Sequence, residues 1–92
     1  MKTIIISHDA SDSAMGFSEP EHFTMYNFPA SLDTYEAMLQ DAILKIYPDA
    51  GITIDRHGHG YFVDDEQDTY EADYVRAIAA NVFQSFDWLV KK

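Results

Sequence analysis

The alternation of apolar and polar residues along the chain predicts four short strands. The first lies in residues 2–7, where three consecutive isoleucines form a β-branched run typical of a buried strand. The second covers residues 23–28 and ends at Pro29. Residues 52–55 alternate as a third strand and 61–63 form a fourth, so the glycine-containing segment 57–60 between them predicts a hairpin turn.

Two longer stretches repeat their apolar residues with helical spacing. The first follows Ser31, which is expected to cap it, and ends at Pro48. The second follows Asp68, which forms a capping-box pattern with Glu71. The apolar stripe of the first helix is Leu32, Tyr35, Leu39, Ala42, Ile43 and Ile46, and that of the second is Val75, Ile78, Ala79, Val82, Phe86, Leu89 and Val90.

The resulting order is β-β-α-β-β-α, which predicts an α+β fold. The simplest packing is a four-stranded, mainly antiparallel sheet with both helices on one face. A chain of 92 residues without internal repeats is long enough for a single domain, residues 1–92.

Composition excludes several classes of protein. The chain has no cysteine, which removes disulfides, thiolate metal sites and cysteine nucleophiles and favours a reducing, cytoplasmic location. The apolar run near the N-terminus is too short for a signal peptide, and no stretch is long enough for a membrane span. Sixteen acidic and six basic residues give a net charge of −10, which repels nucleic acid and attracts basic protein surfaces.

Two candidate sites for chemistry are weak. His57 and His59 could share a metal, but no third ligand follows at a recognised spacing, and a polar hairpin tip is the better explanation. The neighbours Ser7, His8 and Asp9 cannot act as a hydrolytic triad, because adjacent side chains on a strand point to opposite faces. We therefore expect no enzyme activity, no catalytic residues, no metal and no cofactor.

The acidic run at residues 64–73 is the strongest candidate for a binding surface. Six of its ten residues are acids, more than a helix N-terminus needs, and two tyrosines lie beside them one helical turn apart. An EF-hand is excluded because Thr69 and Val75 stand where glycine and glutamate would be required. The residues predicted to contact a partner are Asp64, Asp65, Glu66, Asp68, Tyr70, Glu71 and Asp73.

In size, charge and lack of a catalytic motif the chain resembles small phage-encoded inhibitors, the anti-CRISPR and anti-restriction proteins. The resemblance is one of class and transfers no individual residue. It implies a stoichiometric inhibitor whose acidic face blocks the nucleic-acid-binding surface of a CRISPR effector complex or another defence nuclease. An antitoxin or immunity protein for a basic nuclease toxin is the alternative, followed by a histidine-based metal protein and by a fold whose acidity serves solubility alone.

Overall fold

The computed structural model describes residues 2–92, apart from the side chains of His57 and His59, and within them the secondary structure comprises three strands and three helices. In chain order they are β1 (Thr3–Asp9), α1 (Pro20–Met25), α2 (Phe28–Ile46), β2 (Gly51–Asp55), β3 (His57–Val63) and α3 (Tyr70–Ser85). The α+β class stands, but the predicted four-stranded, mainly antiparallel sheet with two helices is wrong.

The sheet is mixed, with β1 as its central strand and the order β2-β1-β3. Strand β1 pairs in parallel with β2, from Thr3 opposite Gly51, and antiparallel with β3, where Ile4 lies opposite Val63. The predicted hairpin is therefore wrong, because β2 and β3 lie on opposite edges of β1. Gly58 belongs to β3, and a Cβ atom there would lie 3.0 Å from the Cβ of Ser7. This glycine permits a close approach between strands instead of forming a turn.

The second predicted strand is also wrong, since residues 23–28 contain the end of α1 and the start of α2. Asn27 caps α2 through its Oδ1, which accepts the backbone N–H of Ala30 at 3.1 Å. Pro29 lies in the first turn, where the missing N–H costs no helical hydrogen bond. The predicted cap, Ser31, is fully buried, and its hydroxyl accepts the backbone N–H of Val90 at 2.8 Å.

The core lies between the inner face of the sheet and the two long helices. Ile4 and Ile6 of β1 are fully buried, as are Leu39 and Ile43 of α2 and Val75 of α3. The predicted stripe of α2 is confirmed at its centre, although Ile46 at its end is 46% exposed.

The predicted stripe of α3 is confirmed at Val75 and Ala79 but wrong at Phe86. That residue follows the end of α3 in a left-handed conformation, with φ of 57°, and its side chain is 52% exposed. The chain then reverses and buries Trp88, whose Nε1–H donates to the carbonyl oxygen of Phe83 at 3.0 Å. The aromatic residue that closes this end of the core is therefore Trp88.

Candidate functional site

The acidic segment, residues 64–73, forms a turn after β3 and then the first turn of α3. Asp64 and Asp65 adopt left-handed conformations, with φ of 52° and 67°, which aspartate tolerates better than most residues. The backbone groups of Val63 and Glu66 hydrogen-bond to each other across this turn, at 3.0 and 3.1 Å. Thr69 caps α3 by accepting the N–H of Ala72 at 3.1 Å, so the predicted cap at Asp68 is wrong.

Three of the six acids in this segment have basic partners within the chain. The Oδ1 of Asp64 accepts the backbone N–H of Thr3 at 2.9 Å, and Lys2 contacts both Asp64 and Glu71. The hydrogen bond to Glu71 raises the pKa of Lys2 against the opposing effect of burial. Arg76 pairs with Asp73 one turn along α3, at 2.9 Å. These acids hold the segment against β1 and α3.

The other three acids, Asp65, Glu66 and Asp68, are exposed and make no ion pair with any residue in 2–92. Tyr70 follows them with 82% of its surface exposed, and Tyr74 one turn later is 40% exposed. We call Asp65, Glu66, Asp68 and Tyr70 the acidic surface. It is a subset of the predicted partner-binding residues, because Asp64, Glu71 and Asp73 are already engaged within the fold.

The acids of the long loop after β1 do not extend this surface. Asp64 is held at the start of β1, through Thr3, whereas Asp9 lies at its other end and Asp12 follows it. A seven-residue strand spans roughly 20 Å at the usual rise of about 3.3 Å per residue. Asp9 and Asp12 therefore do not join the acidic surface in a single negative face.

Ser7 and His8 make hydrogen bonds to different carboxylates. The Ser7 hydroxyl donates to Oδ2 of Asp55 at 2.9 Å on the neighbouring strand. The Nε2 of His8 lies 2.8 Å from Oε2 of Glu36 on α2. Their separate partners give no support for a hydrolytic triad at this position.

A polar cluster that the sequence did not reveal surrounds Glu36. Arg56, between β2 and β3, donates to both oxygens of Glu36 at 2.9 and 2.7 Å and to Asp33 at 2.8 Å. Burial acts to raise the pKa of Glu36, but the hydrogen bonds from Arg56 and His8 outweigh it and lower that pKa. The hydrogen bonds to Glu36 and Asp33 raise the pKa of Arg56. The sequence shows only that Asp33 and Glu36 lie on one helix face. It does not show that Arg56, which is distant in sequence, is their partner.

The buried phenol of Tyr35 lies beside this cluster, with its ring 5.7 Å from that of His8. Its side chain is 5% exposed, and burial, followed by the neighbouring Tyr61 and Glu36, raises its pKa to about 12. Since the ordinary pKa is about 10, the folded state holds this proton more tightly than the unfolded state.

We expect the free energy of unfolding to fall as the pH rises from about 10 to about 12, and Tyr35 to account for about 2 kcal/mol of that fall. Urea denaturation followed by circular dichroism at several pH values measures it. Tyr35→Phe should flatten the pH dependence in this window, whereas Tyr47→Phe, at a half-buried tyrosine, should change it less. An unaltered slope in Tyr35→Phe would contradict this assignment.

Among the described residues no three histidine or acidic side chains lie close enough to hold a metal ion. The metal hypothesis rests on the side chains of His57 and His59, which lie outside the described residues.

Comparison with known proteins returned no match: no family model, no curated protein and no solved structure resembles this chain significantly. Within residues 2–92, no helix combines the length and the apolar character needed to cross a membrane. Any assignment of function therefore depends on the surface and the pockets of the chain itself.

Proposed function

We propose that this chain is a stoichiometric protein-binding inhibitor that works through its acidic surface. Its partner is a protein with a basic nucleic-acid-binding surface, such as a CRISPR effector complex or another defence nuclease. The observation that carries the proposal is that Asp65, Glu66 and Asp68 are exposed and unpaired within the described chain, beside an almost fully exposed Tyr70.

The mechanism follows from charge. Carboxylates on a protruding turn can occupy the places where a basic channel normally holds phosphates, and complementary charge accelerates the encounter. An exposed tyrosine can place its ring against an arginine of the partner, a contact worth about 0.5–1 kcal/mol at an exposed site. The pair of Lys2 with Glu71 joins the start of α3 to the residue before β1, behind these groups.

The proposal implies action in the cytoplasm, which is the host cytoplasm if the chain is phage-encoded, without direct contact to nucleic acid or membrane. An antitoxin or immunity protein against a basic nuclease toxin would use the same surface in the same way. The identity of the captured partner distinguishes the two: a defence complex supports the first, and a toxic nuclease supports the second.

The direct test is to capture the partner from nuclease-treated host lysate, purify it, and measure its affinity for this chain at increasing salt. Because screening is strong beyond about 8 Å at physiological ionic strength, we expect affinity to fall at least roughly tenfold between 50 and 300 mM NaCl. A short DNA or RNA duplex should displace the chain from its partner. Affinity that is indifferent to salt, together with no competition by nucleic acid, would reject charge mimicry.

A further inference from the structure

A cavity of about 310 Å³ opens beyond the carboxyl end of β1. Its walls come from β1, β3, α2 and α3 and from the loop that follows β1. The volume lies at the lower end of the range for small-molecule sites, about 300–1,000 Å³. The cavity contains none of the residues of the acidic surface, which lies near the opposite end of β1.

Two tyrosine hydroxyls in this cavity lack hydrogen-bond partners within residues 2–92. Tyr35 lines the cavity although its side chain is 95% buried, as its relative exposure is only 5%. Tyr61 is half-buried and lines the same space. A bound ligand with acceptor oxygens would take hydrogen bonds from both hydroxyls.

The guanidinium group of Arg76 adds a positively charged donor beside the two tyrosine hydroxyls. Arg76 lines the cavity and lies over the Tyr61 ring at 5.6 Å. It donates to Asp73 through Nη1 alone, so its other N–H groups make no hydrogen bond to any residue in 2–92. The one acid in the lining, Asp9, accepts the N–H of Ser11 at 3.0 Å and helps to form the loop. The available side-chain donors therefore outnumber the acceptors.

The remainder of the lining is largely apolar. Met15 and Phe83 are the largest of the apolar side chains, alongside three alanines, and His8 and Gln84 are the other polar groups of the wall. A ligand that satisfies both halves of the cavity has an oxygen-rich head that accepts hydrogen bonds and a small apolar body.

We propose that this cavity binds a small monocarboxylate with an apolar or aromatic body. Its carboxylate accepts hydrogen bonds from Tyr35, Tyr61 and Arg76, and its body packs against Met15 and Phe83. This site is independent of the proposed inhibitor function, and its test requires no partner protein.

Benzoate is the probe, and the neutral, isosteric benzamide is its matched control. Isothermal titration calorimetry on the intact chain should give saturable one-to-one binding of benzoate, with benzamide at least roughly tenfold weaker. Tyr35→Phe keeps the ring and removes only the hydroxyl, so it should weaken benzoate roughly tenfold or more while the protein remains folded by circular dichroism. Arg76→Gln, at an exposed position, should weaken benzoate similarly.

Tyr47→Phe is the control substitution, since Tyr47 does not line this cavity, and it should leave benzoate affinity unchanged. Binding of benzoate that does not saturate, equal binding of benzoate and benzamide, or unaltered affinity in Tyr35→Phe would each overturn the proposal. None of these outcomes bears on the acidic surface, which is tested by salt dependence and nucleic-acid competition.

Discussion

Replacing Trp88 with alanine is expected to lower the free energy of unfolding by about 3–5 kcal/mol, a large part of the stability of a domain of this size. The side chain is 1% exposed and lies 5.6 Å from the ring of Tyr35 and 5.4 Å from that of Phe83. Its removal leaves a large void that the surrounding rings cannot fill. Because Trp88 is the only tryptophan, unfolding in urea should be followed by circular dichroism instead of fluorescence.

Phe86 provides the matched comparison two residues earlier. The sequence pattern predicts that Phe86 is buried and that Phe86→Ala lowers the free energy of unfolding as much as a buried aromatic residue would. In the structure, however, the side chain is 52% exposed. We now expect Phe86→Ala to cost less than about 1 kcal/mol. Phe86→Gly should cost no more, because glycine removes a left-handed strain of roughly 1–2 kcal/mol. Equal destabilisation by Phe86→Ala and Trp88→Ala would contradict the exposed position of Phe86 after the end of α3.

Reversing the charges of Asp65, Glu66 and Asp68 to lysine should weaken binding to the partner by about 100-fold or more, because like charges opposed across an interface cost several kcal/mol. The three changes raise the net charge by six, from −10 to −4. The fold should survive, since these side chains are exposed and make no ion pair with a described residue. Asp64 is left unchanged because it holds the segment to Thr3. Surface plasmon resonance with the purified partner measures the loss.

The matched control is the variant Glu21→Lys, Asp49→Lys and Asp87→Lys, which makes the same change in net charge at exposed positions outside the acidic segment. Its affinity should fall far less, and mainly through a slower association rate at low salt. Equal losses in the two variants would mean that overall charge, and not this surface, governs binding. If the charge reversal at Asp65, Glu66 and Asp68 left the affinity for the partner unchanged, the role of these acids would be in solubility.

Local periodicity predicted the two long helices well, missed α1 and predicted the sheet poorly. Buried positions in α2 and α3 recur with helical spacing, so Leu39 and Val75 could be placed in the core without knowing what packs against them. The local sequence carries no equivalent signal for which strands pair with each other. Ile4 pairs with Ile52 on one side and Val63 on the other. Gly58 and Gly60, which predicted a hairpin turn, lie within β3.

The sequence predicted which segment carries the acidic residues, but not which of these acids make ion pairs within the fold. Acid density identified residues 64–73, but their partners are Lys2 and Arg76, and the contact with Lys2 joins opposite ends of the sequence. Only the folded chain therefore separates the acids that stabilise the turn from those left available to a partner. The cavity beside Tyr35 was invisible for the same reason, since its donors come from α2, β3 and α3.

The central position of β1 has a consequence for how the protein is made. This strand is the first to be synthesised, yet both of its neighbours come from residues 51–63. While only the first half of the chain has left the ribosome, Ile4 and Ile6 have no sheet to join and both edges of the strand lack hydrogen-bond partners. Such a nascent chain is prone to aggregation and to binding by chaperones until residue 63 has emerged. Two long-range strand pairings can then complete the sheet.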